Sequence, residues 1–199
     1  MCSSDLSDKV QGDKAEAEQS EQSYKPEESL EETLYDHGVS SGINFKKYRA
    51  IPVTVTGSDV PDKIDSFEDA NLSPSLLANI AKSKYLEPTP IQEYAVPIIL
   101  AGRDVMACAQ TGSGKTAAFL LPIIESLHRD HVTTARGGNV QGQCAYPEVV
   151  VMSPTRELAG QIKDEARKFC NGSSIRCVAA YGGTSVQYLA DRLEEGCNI

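Results

Sequence analysis

The chain has 199 residues, 40% of them hydrophobic, which is enough for one domain with a buried core and too few for two. Its formal charge of −9 excludes nucleic-acid binding by net attraction alone. No run approaches the roughly 18 apolar residues of a membrane span, and the start from Met1 to Val10 lacks the basic and apolar regions of a signal peptide. The expectation is a cytoplasmic chain without a membrane partner.

The charge is unevenly spread. Residues 1–66 carry 14 acidic and 7 basic side chains, whereas residues 67–199 carry 14 and 12, so the body is close to neutral. Such a body can still meet a nucleic-acid backbone through amides and a few arginines. The cysteines, at positions 2, 108, 144, 170, 177 and 197, include no CxxC pair, so neither a zinc ribbon nor a disulfide framework is indicated. They are expected to be reduced, with Cys108 and Cys177 as small core residues. The Asn171-Gly172-Ser173 sequon has no meaning in an intracellular chain.

In chain order, residues 1–40 are rich in Ser, Glu, Gln, Asp and Lys and cannot bury enough surface to offset the entropy of ordering. They are expected to be a disordered acidic tail. Residues 41–66 combine Phe45 and Tyr48 with the β-branched run Ile51 to Thr56, which suits an extended arm lying on a domain that begins at Phe67. Ser73 with Pro74 starts a helix over 74–82, and Thr89 with Pro90 starts another that ends near Gly102. Pro97 and Pro122, inside helical patterns, are expected to mark kinks or a break.

The run Ala109, Gln110, Thr111, Gly112, Ser113, Gly114, Lys115, Thr116 follows the apolar segment 104–108 and precedes a helical stretch over 116–127. A strand, a glycine-bearing turn and a helix N-terminus direct successive N–H groups at one point, which suits a polyphosphate. In such a loop the ammonium of Lys115 serves the β and γ phosphates, and the hydroxyl of Thr116 completes the coordination of Mg²⁺. The consensus begins with glycine where this chain has Ala109.

Downstream, Glu148 to Met152 has the apolar run of a strand buried on both faces, and a helix follows over 155–169. The pattern recurs with a strand over 175–181, a turn at Gly182 and Gly183, and a helix over 186–194. Alternating strands and helices imply an α/β fold built on a doubly wound parallel sheet. The stretch 129–146, with Gly137, Gly138 and Gly142, is expected to be a long surface loop.

Beside the phosphate loop stand three further strings. Tyr85-Leu86-Glu87-Pro88-Thr89-Pro90-Ile91-Gln92 resembles the Q motif of DEAD-box RNA helicases, Pro154-Thr155-Arg156-Glu157-Leu158-Ala159 resembles their motif Ia, and Tyr181-Gly182-Gly183-Thr184 resembles their glycine-doublet motif. Order and spacing also agree. The string Gly57-Ser58-Asp59-Val60-Pro61 and the run from Arg103 to Ile123 are most similar to the Vasa subgroup, and the resemblance covers residues 42–199.

What the resemblance implies is an ATP-dependent RNA helicase whose first RecA-like domain, incomplete at its C-terminal side, occupies residues 67–199. ATP and Mg²⁺ would be its cofactors and RNA its partner, with protein partners for the acidic tail and a cytoplasmic place in perinuclear germ granules. The amide of Gln92 offers a donor and an acceptor to the adenine edge, although a solvent-facing glutamine early in a helix has the same sequence. Tyr85 has a flat face for the base or packs half-buried. Phe67 matches an upstream aromatic that either braces the Q motif or touches nucleotide. Thr89 and Pro90 complete the nucleotide set.

For RNA the resemblance nominates Pro154, Thr155, Arg156, Gly182 and Gly183. Arg156 at a helix N-terminus makes a phosphate clamp or pairs with Glu157 or Asp164. The glycines permit a close backbone approach or form a plain turn. In the family, the Asp-Glu-Ala-Asp box and a second domain follow this point, so the chain is expected to be the N-terminal portion of a longer enzyme, inactive by itself. The alternative is a non-catalytic RNA- or protein-binding module. A P-loop GTPase would need a guanine-reading Asn/Thr-Lys-x-Asp string, which is absent.

Overall fold

The computed structural model describes Tyr35, residues 52–130 and residues 146–199. The expected tail other than Tyr35, the start of the arm at 41–51, Cys2, Cys144 and the interior of the expected loop at 131–145 lie outside the described residues.

Five α-helices form among the described residues: α1 (Pro74–Lys82), α2 (Pro90–Leu100), α3 (Lys115–Arg129), α4 (Arg156–Phe169) and α5 (Val186–Glu194). Proline at the first position of α1 and α2 costs nothing, because the N–H it lacks has no intrahelical acceptor. Pro97 and Pro122 lie within α2 and α3, and neither breaks its helix. Thr155 caps α4 by accepting the Leu158 N–H at 3.2 Å, and Ser185 caps α5 by accepting that of Tyr188 at 3.4 Å. Ser73 behaves differently: its backbone N–H donates to the buried carboxylate of Glu125 at 2.7 Å.

Helix α3 is the axis of the core. Ala117, Leu120, Leu121 and Ile124, spaced three and four apart on one face, are all buried. They join Phe67, Leu72, Leu76, Val96, Ala166 and Phe169 in one cluster. Helix α3 packs on α2, and α4 touches both α3 and α1. Each fully buried leucine contributes about 1.5–3 kcal/mol, so Leu121→Ala is the kind of change that loosens this core. Asn79 is buried and donates to the carbonyls of Phe169 at 2.9 Å and Asn171 at 2.8 Å, which satisfies the chain leaving α4. Tyr35 reaches the same place, where its hydroxyl donates to the Lys168 carbonyl at 3.0 Å and accepts from Asn171 Nδ2 at 3.1 Å.

Among the described residues, the segments expected as strands form no continuous ladder. Ile199 donates to the Arg176 carbonyl at 3.1 Å and accepts from the Val178 N–H at 2.9 Å, the pattern of a parallel pair bracketing Cys177. The N–H groups of Glu148 and Val149 both donate to the Asn198 carbonyl. The segment 104–108 differs, since Val105, Met106 and Cys108 are exposed, as are Val150 and Met152. The placement of Cys108 in the core is therefore corrected: among the described residues no neighbouring segment covers it. Cys177 is half-buried. Residues 52–66 run over α2, held by the Ile64 N–H donating to the Glu93 carbonyl at 3.0 Å and by Arg103 donating to the Asp59 carbonyl.

Candidate phosphate-binding site

The turn between Ala109 and Lys115 owes its shape to two left-handed glycines, Gly112 with φ 79° and Gly114 with φ 87°. Gly114 is additionally enclosed. A Cβ there would lie 2.5 Å from Gln92 Nε2 and 3.2 Å from Thr89 Oγ1, so no larger residue fits without displacing α2 side chains. Ala109 is not among the residues with positive φ, which explains why a methyl replaces the consensus glycine there without strain. Gln110, Thr111 and Gly112 are exposed, and Lys115 and Thr116 are half-buried at the start of α3.

Lys115 Nζ donates to the carbonyls of Ala109 and Gln110, each at 2.7 Å, so its ammonium spans the mouth of the loop. Ser113 Oγ is buried and has no hydrogen-bond partner among the described residues. A cationic head across a loop of glycines at a helix N-terminus, with an orphan hydroxyl beneath it, fits a polyphosphate, and the Thr116 hydroxyl fits its metal ion.

The Q-motif residues lie behind this loop. Gln92 is fully buried; its Oε1 accepts the Thr89 N–H at 2.9 Å and its Nε2 donates to the Gly114 carbonyl at 3.1 Å. The Thr89 hydroxyl donates to the Ser113 carbonyl at 2.8 Å. Thr89 and Gln92 thus close a capping box that also clamps the phosphate loop. In this conformation each amide atom of Gln92 makes one bond and the side chain is fully buried, so contact with a base requires it to turn outward. Pro90 opens α2 beside it. Phe67 is buried in the core. The Tyr85 ring meets Phe169 edge-on at 5.7 Å, and its hydroxyl donates to Glu165 Oε1 at 2.6 Å. Burial, with the Glu165 carboxylate adjacent, pushes the Tyr85 phenol well above its ordinary value.

A second group gathers at the N-termini of α4 and α5. Pro154, Thr155, Arg156, Gly182 and Gly183 are all exposed. A Cβ on Gly183, which has φ 85°, would lie 3.8 Å from Arg156 Nη1, so the arginine and the glycine turn are neighbours. Arg156 Nε also pairs with Glu157 Oε1 at 3.2 Å. The carboxyl of Glu157 is held below its usual range by its own backbone N–H and, secondarily, by Arg156.

Residues 89–199 match the family profile described as DEAD/DEAH box helicase. The chain belongs to the DEAD/DEAH box helicase family. Within it, the ATP-dependent RNA helicase DDX4 of Mus musculus is 50% identical over 169 residues, 85% of this chain and 23% of that protein. The ATP-dependent RNA helicase vasa of Drosophila melanogaster is 49% identical over 166 residues, 83% of this chain and 24% of that protein. The chain spans about a quarter of the length of these relatives. Among solved structures, the RNA helicase Prp28 from Chaetomium thermophilum bound to ADP superposes with a TM-score of 0.65 at 32% identity, over 89% of this chain and 39% of that one. A DEAD box protein from Methanococcus jannaschii gives 0.57 at 30% identity, over 69% and 34%. These likenesses agree with an α/β fold.

In this DEAD/DEAH box family chain a cavity of about 540 Å³ lies between residues 52–61, α2 and the segment 103–110. It touches Ala109, Gln110 and Ser113 but neither Lys115 nor Thr116, so it backs the loop and is distinct from the loop's phosphate face. The clamp by Gln92 was readable as the Thr89-x-x-Gln92 capping signature. Among the described residues no helix is long and apolar enough to cross a membrane.

Proposed function

We propose that this chain is the nucleotide-binding portion of an ATP-dependent RNA helicase of the Vasa type, built as a RecA-like domain with a doubly wound parallel sheet over residues 67–199. Residues 41–66 form its arm, and residues 1–40 an acidic tail open to protein partners. The observation that carries the proposal is the braced loop, in which the left-handed Gly114 is locked by Gln92 and Thr89 and Lys115 stands over the mouth. Supporting it are the RNA helicase relatives at about half identity and the ADP-bound neighbour.

Bound ATP with Mg²⁺ supplies the phosphoryl group. Lys115 binds and orients the β and γ phosphates, Thr116 presents its hydroxyl to the metal ion, and the N–H groups from Gln110 to Gly114 hold the phosphate oxygens. Gln92, Thr89 and Pro90 keep that cradle in shape from behind, and Phe67 and Tyr85 buttress the Q motif. Arg156 and Thr155, beside Pro154 and the Gly182–Gly183 turn, contact an RNA backbone, with two helix N-termini adding favourable electrostatics. The whole enzyme works in the cytoplasm, in perinuclear germ granules.

The test is RNA-stimulated phosphate release by the longer protein that contains this chain, with wild type beside Lys115→Ala. Loss of release by orders of magnitude with unchanged circular dichroism supports the assignment. Release near the wild-type rate refutes it.

A further inference from the structure

On the side of the molecule where α4 ends, a separate cavity of about 350 Å³ is lined by Lys163, Arg167, Arg176, Arg192, Cys170 and Cys177. Cys170 caps the C-terminus of α4 and is buried, whereas Cys177 is half-buried in the segment that leads to Gly182 and Gly183. Their sulfurs lie 4.0 Å apart in an S–H···S contact, across a turn of seven residues. Only about 2 Å of approach separates that distance from a disulfide bond. Among the described residues, no carboxylate lines the cavity. Glu195 binds Arg176 Nη2 at 2.6 Å and Arg192 Nη1 at 3.2 Å, while Lys163 and Arg167 place their charges beside Cys177.

We propose that Cys177 and Cys170 form a redox-active dithiol, in which Cys177 is the attacking sulfur, Cys170 the resolving sulfur and a hydroperoxide the oxidant, with Lys163 and Arg167 as the cations beside the pair. The electrostatics agree with this division of labour. Contact with Cys170, then the charges of Arg167 and Lys163, hold the Cys177 thiol below its usual range against the opposing effect of burial. The contact with Cys177 and then burial push the Cys170 thiol up, which favours its protonated form.

In the first step the Cys177 thiolate attacks one oxygen of hydrogen peroxide. The S–O bond forms, the O–O bond breaks and hydroxide leaves, so sulfur loses two electrons and peroxide gains them. In the second step the Cys170 sulfur attacks the sulfenic sulfur of Cys177; the S–S bond forms, the S–O bond breaks, and the departing hydroxide leaves as water with the Cys170 proton. The sum is two thiols and one peroxide giving one disulfide and two waters. A thiol reductant reverses it. The disulfide would tie the end of α4 to the segment carrying the glycine turn.

The experiment uses the whole chain and reads neither nucleotide nor RNA, so its failure is separate from failure of the helicase assignment. Folded protein is treated with limiting hydrogen peroxide, its free thiols are alkylated, and it is digested with trypsin without reductant. Cleavage after Lys168, Arg176 and Arg192 places Cys170 on peptide 169–176, Cys177 on 177–192 and Cys197 on 193–199. The expected product is the linked pair 169–176 and 177–192, lost on reduction, with Cys177 oxidised about tenfold faster than the exposed Cys108. In Cys170→Ser, Cys177 should stop at sulfenic acid and be trapped by dimedone. The double change Lys163→Gln and Arg167→Gln should slow its oxidation several-fold. A link from Cys177 to Cys197, no link at all, a Cys177 no faster than Cys108, or a rate indifferent to the two cations would each overturn the proposal.

Discussion

Gly114→Ala tests the clamp on the phosphate loop. The residue sits at φ 87°, where a side chain costs about 1–2 kcal/mol. Its new methyl would meet Gln92 Nε2 at 2.5 Å, so the Gln92 side chain must leave. Departure breaks its bonds to the Thr89 N–H and the Gly114 carbonyl and strands buried polar groups at roughly 1–3 kcal/mol. The total is about 2–5 kcal/mol, or a melting point lower by roughly 5–20 °C for a domain of this size. Thermal unfolding by circular dichroism measures it, in a cycle with Gln92→Ala. Once Gln92 is gone, adding the Gly114 change should cost only the backbone term of about 1–2 kcal/mol. Additivity of the two changes within about 0.5 kcal/mol would refute the clamp.

Other consequences can be checked in parallel. Gln92→Ala should weaken ATP and GTP binding together if the side chain acts by bracing the loop, whereas loss confined to ATP in a competition assay would show that it turns outward to read adenine. Asn79→Ala leaves the Phe169 and Asn171 carbonyls without their buried donor and should cost about 1–3 kcal/mol in urea unfolding. On the acid side, Arg176 holds Glu195 below its usual range and Ser66 does the same for Asp69. Folded values below unfolded ones mean that this stability is present above pH of about 4 and disappears as pH falls through the depressed values. Melting points should decline in that window, with a shallower decline in Glu195→Gln.

Helices were legible because their signals are local. Pro74 and Lys82 bound α1, and Val186 and Glu194 bound α5, at the positions that caps and periodicity indicate. The phosphate loop was legible for the same reason, since two glycines, a lysine and a helix start lie within a few residues. Strands were less so: the apolar runs at 104–108 and 148–152 say what each segment would bury, whereas a ladder depends on partners elsewhere in the chain. Hence Cys108, Met106 and Met152 are exposed where composition alone pointed inward. Gln92 shows a different limit, because one amide suits both a base edge and a loop brace, and only the packing of α2 against α3 distinguishes them. Neither the Tyr35 bond to the end of α4 nor the approach of Cys170 to Cys177 leaves a pattern in sequence.

The central claim is that the loop from Ala109 to Thr116 is an adenine-nucleotide phosphate site governed by Lys115. Equilibrium titration of the chain with a fluorescent ATP analogue and Mg²⁺, in wild type and Lys115→Ala, with unlabelled ATP and GTP as competitors, tests it most directly. The account predicts saturable binding displaced by ATP in preference to GTP and weakened at least tenfold by the lysine change, in keeping with a charge-assisted contact. Equal affinity in both proteins, with both folded, would contradict it.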